Sequence, residues 1–318
     1  MEQLLEKYPD DVRFVYRNFP LIGTPESPFH DKAALSTQAA EAAAKQGKFW
    51  EMHDVLFNKQ AEWTALTVAD FQTWLIEQAA EIDGLNVDKF TTDLTSQAMV
   101  DFAQAAWDDG QAAGLEGTPT LMVNGNMWPT NVSMDLFNLS AVVSLTKLED
   151  KQFTQCPTMT IDQTKQYIAT LKTEKGDVKI ELFADKAPLA VNSFIFLANE
   201  GWFDNVTFHR VIPGFVAQAG DPTGTGFGTP GYAFKNEIGE LKFDKAGVVG
   251  MANAGADSNG SQFFITLAAT PNLDGSYTIF GQVIEGMDVL NSLTERDPSK
   301  DANLPPGDLI LSVTIEEK

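Results

Sequence analysis

Arg210 lies inside an apolar run, "FHRVIPGFVAQAGDP", which covers residues 208–222. The chain has only four arginines, so one placed among Phe208, Val211 and Ile212 calls for an explanation. A guanidinium is permanently charged and carries its N–H donors in a rigid fork. It either lies on the exposed side of a strand or supplies a fixed positive donor to a site that excludes water. The run alone leaves both explanations open.

The composition narrows the classes of partner and cofactor. The chain has 318 residues, 43% of them apolar, which predicts two domains with ordinary cores. Its net charge of −22 disfavours nucleic acid and anionic membranes as partners. Cys156 is the single cysteine and the three histidines lack metal-ligand spacing, so the sequence predicts no disulfide, no metal site and no cofactor. The start, "MEQLLEKYPDD", does not resemble a signal peptide and no long apolar run occurs, which predicts a cytoplasmic protein.

The first half of the chain combines strand and helix signals. Residues 12–19, "VRFVYRNF", are β-branched and aromatic in alternation, which predicts a strand. An Ala-rich helical pattern runs from 31 to 110, and its clearest helix covers 66–84, with Thr67 as N-cap and Gly84 as C-cap. Residues 120–128 are predicted to form a hairpin, because they have Asn-Gly at their centre. A helix is predicted over 134–149.

Strand signals dominate the second half. Residues 150–166 are polar with little periodicity and are interpreted as a linker. Alternating residues predict strands over 177–183 and 309–316, and helices are expected over 188–200 and 287–294. Many short strands with turn signals predict a closed barrel or a sandwich. The Gly-rich stretch 220–231 lacks the Gly-Lys-Ser/Thr ending of a phosphate-binding loop, so no phosphate site is predicted there.

Three blocks of the second half resemble the cyclophilin family of peptidyl-prolyl isomerases. They are "FHRVIPGFVAQAGDPTGTG" (208–226), "GVVGMANAGADSNGSQFFIT" (247–266) and "LDGSYTIFGQVIEGMDVL" (273–290). The resemblance implies that 167–318 forms an eight-stranded antiparallel barrel with two helices. It also implies a role in protein folding, with proline-containing peptides and unfolded or partly folded proteins as partners.

The chemistry of prolyl isomerisation accounts for an arginine in a dry site. Conjugation of the peptide nitrogen with its carbonyl gives a rotation barrier of roughly 18–20 kcal/mol. No covalent bond is needed to lower this barrier, because a catalyst has only to favour the twisted state. The resemblance assigns this role to Arg210 as electrostatic catalyst, with Gln218 as its orienting hydrogen-bond partner.

The resemblance also assigns the residues around the arginine. Phe215, Val216, Phe264 and Leu273 are expected to wall the proline pocket, Ala252 and Asn253 to present backbone groups to the substrate, and Gln262 to lie beside them. Tyr277 is a further expected pocket residue, and it stands where many members have histidine; Asn272 stands where eukaryotic members often have tryptophan. The strand period of two places Gln262 and Phe264 on one face and turns Phe263 and Ile265 into the barrel.

Residues 12–128 resemble thioredoxin-like oxidoreductases of the DsbA type, in "VRFVYRNFPL", "AAEAAAKQGKFWEMHDVLF" and "GLEGTPTLMVNG". The resemblance implies a multi-domain protein in which 1–149 is an α/β thioredoxin-like domain with a helical insert, truncated at its N-terminus. It further implies a cis peptide at Thr118-Pro119. The family's C-x-x-C pair is absent and would lie upstream of Met1, so the chain is either a fragment or has lost the redox function.

Three functions remain open from the sequence. The first is a prolyl isomerase whose thioredoxin-like half is redox-dead and binds unfolded chains, as a chaperone does. The second is a bifunctional bacterial folding factor that is also a thiol-disulfide oxidoreductase, acting in the cell envelope where disulfides form. The third is a module that holds proline-containing peptides without turnover. Because Arg210 and Gln218 are both present, the sequence favours catalysis over holding alone, and it does not specify an oligomeric state.

Overall fold

A computed structural model describes residues 1–24, 27–298, 300 and 304–318. Its helices are α1 (Glu2–Lys7), α2 (Ala33–Ala44), α3 (Phe49–Asn58), α4 (Gln60–Trp63), α5 (Val68–Ala80), α6 (Val87–Leu94), α7 (Gln97–Ala112), α8 (Leu136–Glu149), α9 (Pro188–Asn199) and α10 (Met287–Asn291). Its strands are β1 (Gly23–Thr24), β2 (Ser27–Pro28), β3 (Met122–Val123), β4 (Asn126–Met127), β5 (Tyr167–Thr173), β6 (Gly176–Leu182), β7 (Val206–Thr207), β8 (Arg210–Ile212), β9 (Val216–Ala219), β10 (Val248–Met251), β11 (Phe263–Thr266), β12 (Ile279–Glu285) and β13 (Leu309–Glu317). One 3₁₀-helix covers Pro271–Leu273.

The chain divides into two compact units. One unit comprises Met1–Val12 and Ser133–Lys318, and the other comprises Arg13–Val132. The first unit therefore joins the strand-rich half to α1 and α8. The domain boundaries predicted above at 149 and 166 rest on the polarity and low periodicity of residues 150–166 and stay a prediction. Among the described helices, none has the length and apolar character that crossing a bilayer requires.

Nine antiparallel strands of the first unit curl into a barrel. Their order is β7-β13-β5-β6-β12-β10-β11-β9-β8. The two ends of this order, β7 and β8, are separated in the chain only by Phe208 and His209. Counted as one interrupted strand, they make eight strands that close around the core. The predicted antiparallel barrel is confirmed, with α9 and α10 as the predicted helices. Inside it, the ring of Phe194 contacts the rings of Phe203, Phe263 and Phe280.

In the Arg13–Val132 unit, helices α2, α3, α5 and α6 surround a core that includes the buried Phe71, Leu75 and Phe90. Helix α5 begins after Thr67, whose hydroxyl oxygen accepts a hydrogen bond from the Asp70 N–H over 3.2 Å, so the predicted N-cap is confirmed. The helix ends at Ala80, so the predicted C-cap at Gly84 is wrong. Glu81 is the C-cap, and its N–H donates to the carbonyl oxygens of Gln78 and Ala79.

The loop chemistry predicted for residues 118–127 is present. The Thr118-Pro119 peptide bond is cis. Asn124 and Gly125 have φ of 49° and 82°, the left-handed values that an Asn-Gly hairpin turn requires. The hairpin consists of β3 and β4, with Met122 opposite Met127.

The predicted strand over residues 12–19 is wrong. Exposure alternates along it as expected, with Phe14 and Tyr16 half-buried and Val15 and Arg17 exposed. However, no described strand pairs with this segment, and the backbone groups of residues 13–19 make no hydrogen bond within the described ranges. An alternating pattern fixes which side chains face the interior, whereas a β-strand also requires a neighbour to accept and donate its backbone hydrogen bonds.

Candidate active site

Arg210 is the first residue of β8, immediately after the interruption between β7 and β8. Its side chain is half-buried, and the guanidinium carbon lies 5.8 Å from the centroid of the Phe215 ring. A turn closed by the Phe215 N–H and the Ile212 carbonyl, 3.0 Å apart, brings this ring back beside the arginine. The guanidinium therefore lies over an aromatic face and is not a fully exposed strand residue.

A second arginine, Arg296, braces the backbone on both sides of Arg210. Its backbone exchanges two hydrogen bonds with Val211, of 2.7 and 3.0 Å, and its Nε donates to the His209 carbonyl over 3.1 Å. Burial lowers the pKa of the Arg296 guanidinium. Sequence reasoning did not identify Arg296, because it lies 86 positions away from Arg210 in a stretch without a recognisable motif.

The apolar residues expected to wall the pocket belong to one cluster, which is separate from the barrel core. Its buried members are Val216, Phe243, Val248, Phe264 and Ile279, and its half-buried members include Phe215, Ala252, Leu273 and Tyr277. The neighbours of Phe264 along β11, Phe263 and Ile265, are fully buried in the barrel core instead. The predicted alternation along β11 is therefore confirmed.

Phe264 is the centre of this cluster. Its ring centroid lies 5.4 Å from that of Phe243 and 5.4 Å from that of Tyr277, which meets it edge-on. Gly250 makes room for two of these rings, since a Cβ there would lie 2.8 Å from Phe264 and 2.9 Å from Phe243. Phe243 is flanked by Lys242 and Asp244 and could not be assigned to this cluster from local patterns.

The predicted hydrogen bond between Gln218 and Arg210 is not formed. The two residues are opposite each other in the β8–β9 pair. Gln218 Nε2 instead donates to Gln262 Oε1 over 3.0 Å. Gln262 immediately precedes β11 and is two residues from Phe264, the strand partner of Gln218. No hydrogen bond from the Arg210 guanidinium is present within the described ranges.

The backbone at Ala252 and Asn253 is only partly available to a substrate. The Ala252 N–H donates to the Gln262 carbonyl over 2.9 Å, so of the two backbone groups of Ala252 it is not free to pair with a substrate. The backbone N–H and carbonyl of Asn253 have no partner in the part of the chain that the structure describes. The Asn253 side chain donates to the Ser276 carbonyl over 3.3 Å and accepts from the Gly255 N–H over 3.2 Å, which steadies this backbone.

His209 lies next to the arginine and is 3% exposed. Burial lowers the pKa of its imidazole to about 4, and the opposing effect of Asp221 is smaller. The ring is therefore neutral at neutral pH and adds no charge beside Arg210. Within the described residues, no group of three or more His, Cys, Asp or Glu side chains could hold a metal ion.

The two halves match two different protein families. The model described as cyclophilin type peptidyl-prolyl cis-trans isomerase/CLD matches residues 168–315, and the model described as thioredoxin matches residues 1–143. The peptidyl-prolyl cis-trans isomerase ppi1 of Schizosaccharomyces pombe is 47% identical over 150 residues, which cover 46% of this chain and 97% of that relative. The chain belongs to the cyclophilin family. The cyclophilin match lies in its C-terminal half, and its N-terminal half is thioredoxin-like.

Further relatives show how much of each protein the cyclophilin match covers. The peptidyl-prolyl cis-trans isomerase-like 2 of Cryptococcus neoformans is 41% identical over 177 residues, 52% of this chain. The match spans only 31% of the length of that protein. A Cryptosporidium parvum cyclophilin, whose structure was solved in the presence of the dipeptide Ala-Pro, is 38% identical, with a TM-score of 0.44. That alignment covers 48% of this chain and 99% of the other.

Proposed function

We propose that this cyclophilin catalyses cis–trans isomerisation of prolyl peptide bonds in unfolded or partly folded proteins, and that it does so without a covalent intermediate. One observation carries the proposal. A half-buried guanidinium lies 5.8 Å from the Phe215 ring, beside an apolar cluster that includes Val216 and Phe264. The site thus combines a fixed positive donor with an apolar surface suited to a proline ring.

Arg210 acts on the twisted state of the peptide bond. As the bond rotates, the nitrogen lone pair localises and conjugation with the carbonyl is lost. An N–H donor directed at that nitrogen interacts more strongly with the localised pair than with the planar amide. It therefore stabilises the transition state more than the ground state, which is the condition for catalysis. The half-burial of Arg210 strengthens this interaction because fewer water molecules compete for the donor.

The remaining site residues hold the substrate in place. Phe215, Val216, Phe264, Leu273 and Tyr277 enclose the proline ring. The free backbone groups of Asn253 pair with the extended chain, as one strand pairs with another. Catalysis needs no group that gains or loses a proton, which agrees with a neutral His209.

The test is an isomerisation assay on a proline-containing peptide with the full chain. Arg210→Ala should lower kcat/KM about 100-fold or more, the usual cost of removing a preorganised donor. Arg17→Ala, at an exposed arginine of the Arg13–Val132 unit, is the matched control and should leave kcat/KM unchanged. An equal rate for both variants would exclude Arg210 as the catalyst.

For the thioredoxin-like half we propose the DsbA type and a chaperone function in a bacterial folding factor. The support for the chaperone function is an exposed aromatic surface on α3. Trp50 is 46% and Phe57 is 62% exposed, and both rings contact His53, with centroids 5.2 and 4.6 Å apart. Exposed apolar surface of this kind favours binding to unfolded chains. The double variant Trp50→Ala, Phe57→Ala should suppress aggregation of a denatured protein less well than the wild type, and equal suppression would refute the function.

A further inference from the structure

The Gly-rich loop that follows β9 is built around a buried carboxylate. Asp221 is 0% exposed. Its oxygens accept hydrogen bonds from the backbone N–H groups of Thr223, Gly226 and Gly228 over 2.8, 2.7 and 3.0 Å. They also accept from the hydroxyls of Thr223 and Thr225 over 2.7 and 3.3 Å. Asp221 thus fixes the loop 221–228 from inside.

The fit between this loop and the carboxylate is tight. A Cβ at Gly228 would lie 1.9 Å from Asp221 Oδ1, so only glycine lets the backbone approach this closely. Of the glycines in the stretch 220–231, Gly226 and Gly228 therefore donate their N–H groups to the side chain of Asp221.

The loop in turn fixes the amide of Gln262. Gln262 Nε2 donates to the carbonyl oxygens of Gly226 and Gly228, over 2.8 and 3.0 Å. Because both amide hydrogens have an acceptor, flipping the group would place its oxygen against two carbonyl oxygens. Gln262 Oε1 is therefore held towards Gln218.

The orientation of Gln262 determines that of Gln218. Gln218 Nε2 donates to Gln262 Oε1 over 3.0 Å, which turns the other end of the amide, Gln218 Oε1, away from Gln262. No group within the described ranges donates a hydrogen bond to this oxygen. Gln218 is the strand partner of Arg210. A guanidinium can only donate, so it needs an acceptor such as this oxygen. These contacts therefore leave an acceptor, Gln218 Oε1, available to the guanidinium of Arg210.

We propose that Asp221 is a positioning residue for the isomerase, which orients Arg210 through the loop 221–228, Gln262 and Gln218. This inference rests on the proposed prolyl isomerase activity. During the reaction Gln218 Oε1 accepts an N–H of the guanidinium, and another N–H remains directed at the substrate nitrogen. Without Asp221 the carbonyls of Gly226 and Gly228 no longer hold Gln262, and both glutamine amides are free to flip.

The test compares Asp221→Asn with Asp177→Asn, an exposed aspartate in β6, in the full chain. Asp221→Asn replaces one acceptor oxygen by a donor that faces N–H groups, so we expect kcat to fall about tenfold to 100-fold. The affinity for a proline-containing peptide should stay within about threefold, since Asp221 is not part of the apolar cluster. Equal kcat for the two variants, or a loss confined to affinity, would overturn the proposal.

Side-chain amide NMR signals of Gln218 and Gln262 provide a readout that does not depend on activity. Both should shift in Asp221→Asn and remain unchanged in Asp177→Asn. If the wild type has no isomerase activity, the proposed function fails, while these signals still decide whether Asp221 orients the glutamines. Unshifted signals in a folded Asp221→Asn variant would overturn the positioning role.

A second variant covers the case in which Asp221→Asn does not fold. Gln262→Glu places a carboxylate against the carbonyls of Gly226 and Gly228 and removes the donor that fixes the relay. Repulsion by these two carbonyl oxygens raises the pKa of the introduced carboxyl above its usual range, and its protonation restores one donor, so kcat should recover as the pH is lowered from about 8 to about 5. A flat pH profile, or one parallel to that of the wild type, would contradict the relay.

Discussion

Two alternating segments of this chain have similar patterns and different structures. "DVKIELF" (177–183) forms most of β6, which pairs with β5 on one side and β12 on the other. "VRFVYRNF" (12–19) alternates in exposure just as regularly, yet no strand pairs with it and residues 13–19 make no backbone hydrogen bonds within the described ranges. Period-two alternation therefore predicts which side chains are buried, while strand formation depends on a partner elsewhere in the chain.

The largest contrast between the two segments is expected in hydrogen exchange. Paired amides in a core strand exchange only when the barrel opens, whereas unpaired amides exchange almost freely. With a typical domain stability, amides of β6 should exchange roughly 10⁴-fold more slowly than those of residues 13–19. Similar rates in both segments, measured by mass spectrometry, would show that residues 13–19 have a strand partner in solution.

Proline substitution distinguishes the segments by stability. Ile180→Pro removes a ladder hydrogen bond in a strand that is paired on both sides, which should cost about 3 kcal/mol or more. Val15→Pro, at an exposed residue whose N–H has no partner, should change the stability by less than about 1 kcal/mol. Thermal unfolding of both variants gives the comparison, and equal destabilisation would contradict it.

His209 makes the barrel unit sensitive to acid. Burial lowers the pKa of its imidazole from 6.5 to about 4, so the folded chain binds this proton more weakly than the unfolded chain does. The neutral ring's contribution is complete above about pH 6.5 and is lost as the pH falls towards about 4, by up to about 3 kcal/mol. His209→Gln should remove this part of the pH dependence in urea unfolding at about pH 7 and pH 4.5. Identical pH dependence in both proteins would show that His209 is not the group responsible.

The smallest effect is expected at the N-cap of α5. Thr67→Ala removes the hydroxyl that accepts from the Asp70 N–H and should destabilise the Arg13–Val132 unit by about 1 kcal/mol. Isomerase activity should not change, because the proposed site lies in the other unit. Thr64→Ala removes the hydroxyl of an exposed threonine that does not cap a helix N-terminus and is the control. A loss of isomerase activity in Thr67→Ala would break the separation drawn between the two regions.

Local sequence signals predicted the elements that depend on local physics. The cap at Thr67, the Asn124-Gly125 turn and the alternation of β11 are each determined by a few neighbouring residues, and each is confirmed. The resemblance to cyclophilins supplied the closure of the barrel, which alternation alone left open between a barrel and a sandwich. The strand predicted over residues 12–19 failed because its partner could not be deduced from the segment itself.

Contacts between distant residues could not be predicted from local patterns. Phe243 enters the apolar cluster because Gly250 leaves space for its ring, and Phe243 itself lies outside the blocks that resemble cyclophilins. Arg296 braces Arg210 from a loop far along the chain. The resemblance predicted Gln218 as the hydrogen-bond partner of Arg210, and this bond is not formed. Gln218 donates to Gln262 instead, whose amide is held by the loop around Asp221.

The most direct test of Arg210 separates binding from catalysis. NMR exchange spectroscopy on a proline-containing peptide measures both the affinity and the catalysed cis–trans rate in one sample. A residue that stabilises only the twisted bond should, on Arg210→Ala, lower the catalysed rate about 100-fold and leave the affinity within about threefold. If affinity and rate fall together by the same factor, Arg210 binds the peptide in its ground state and the site is a holding module rather than a catalyst.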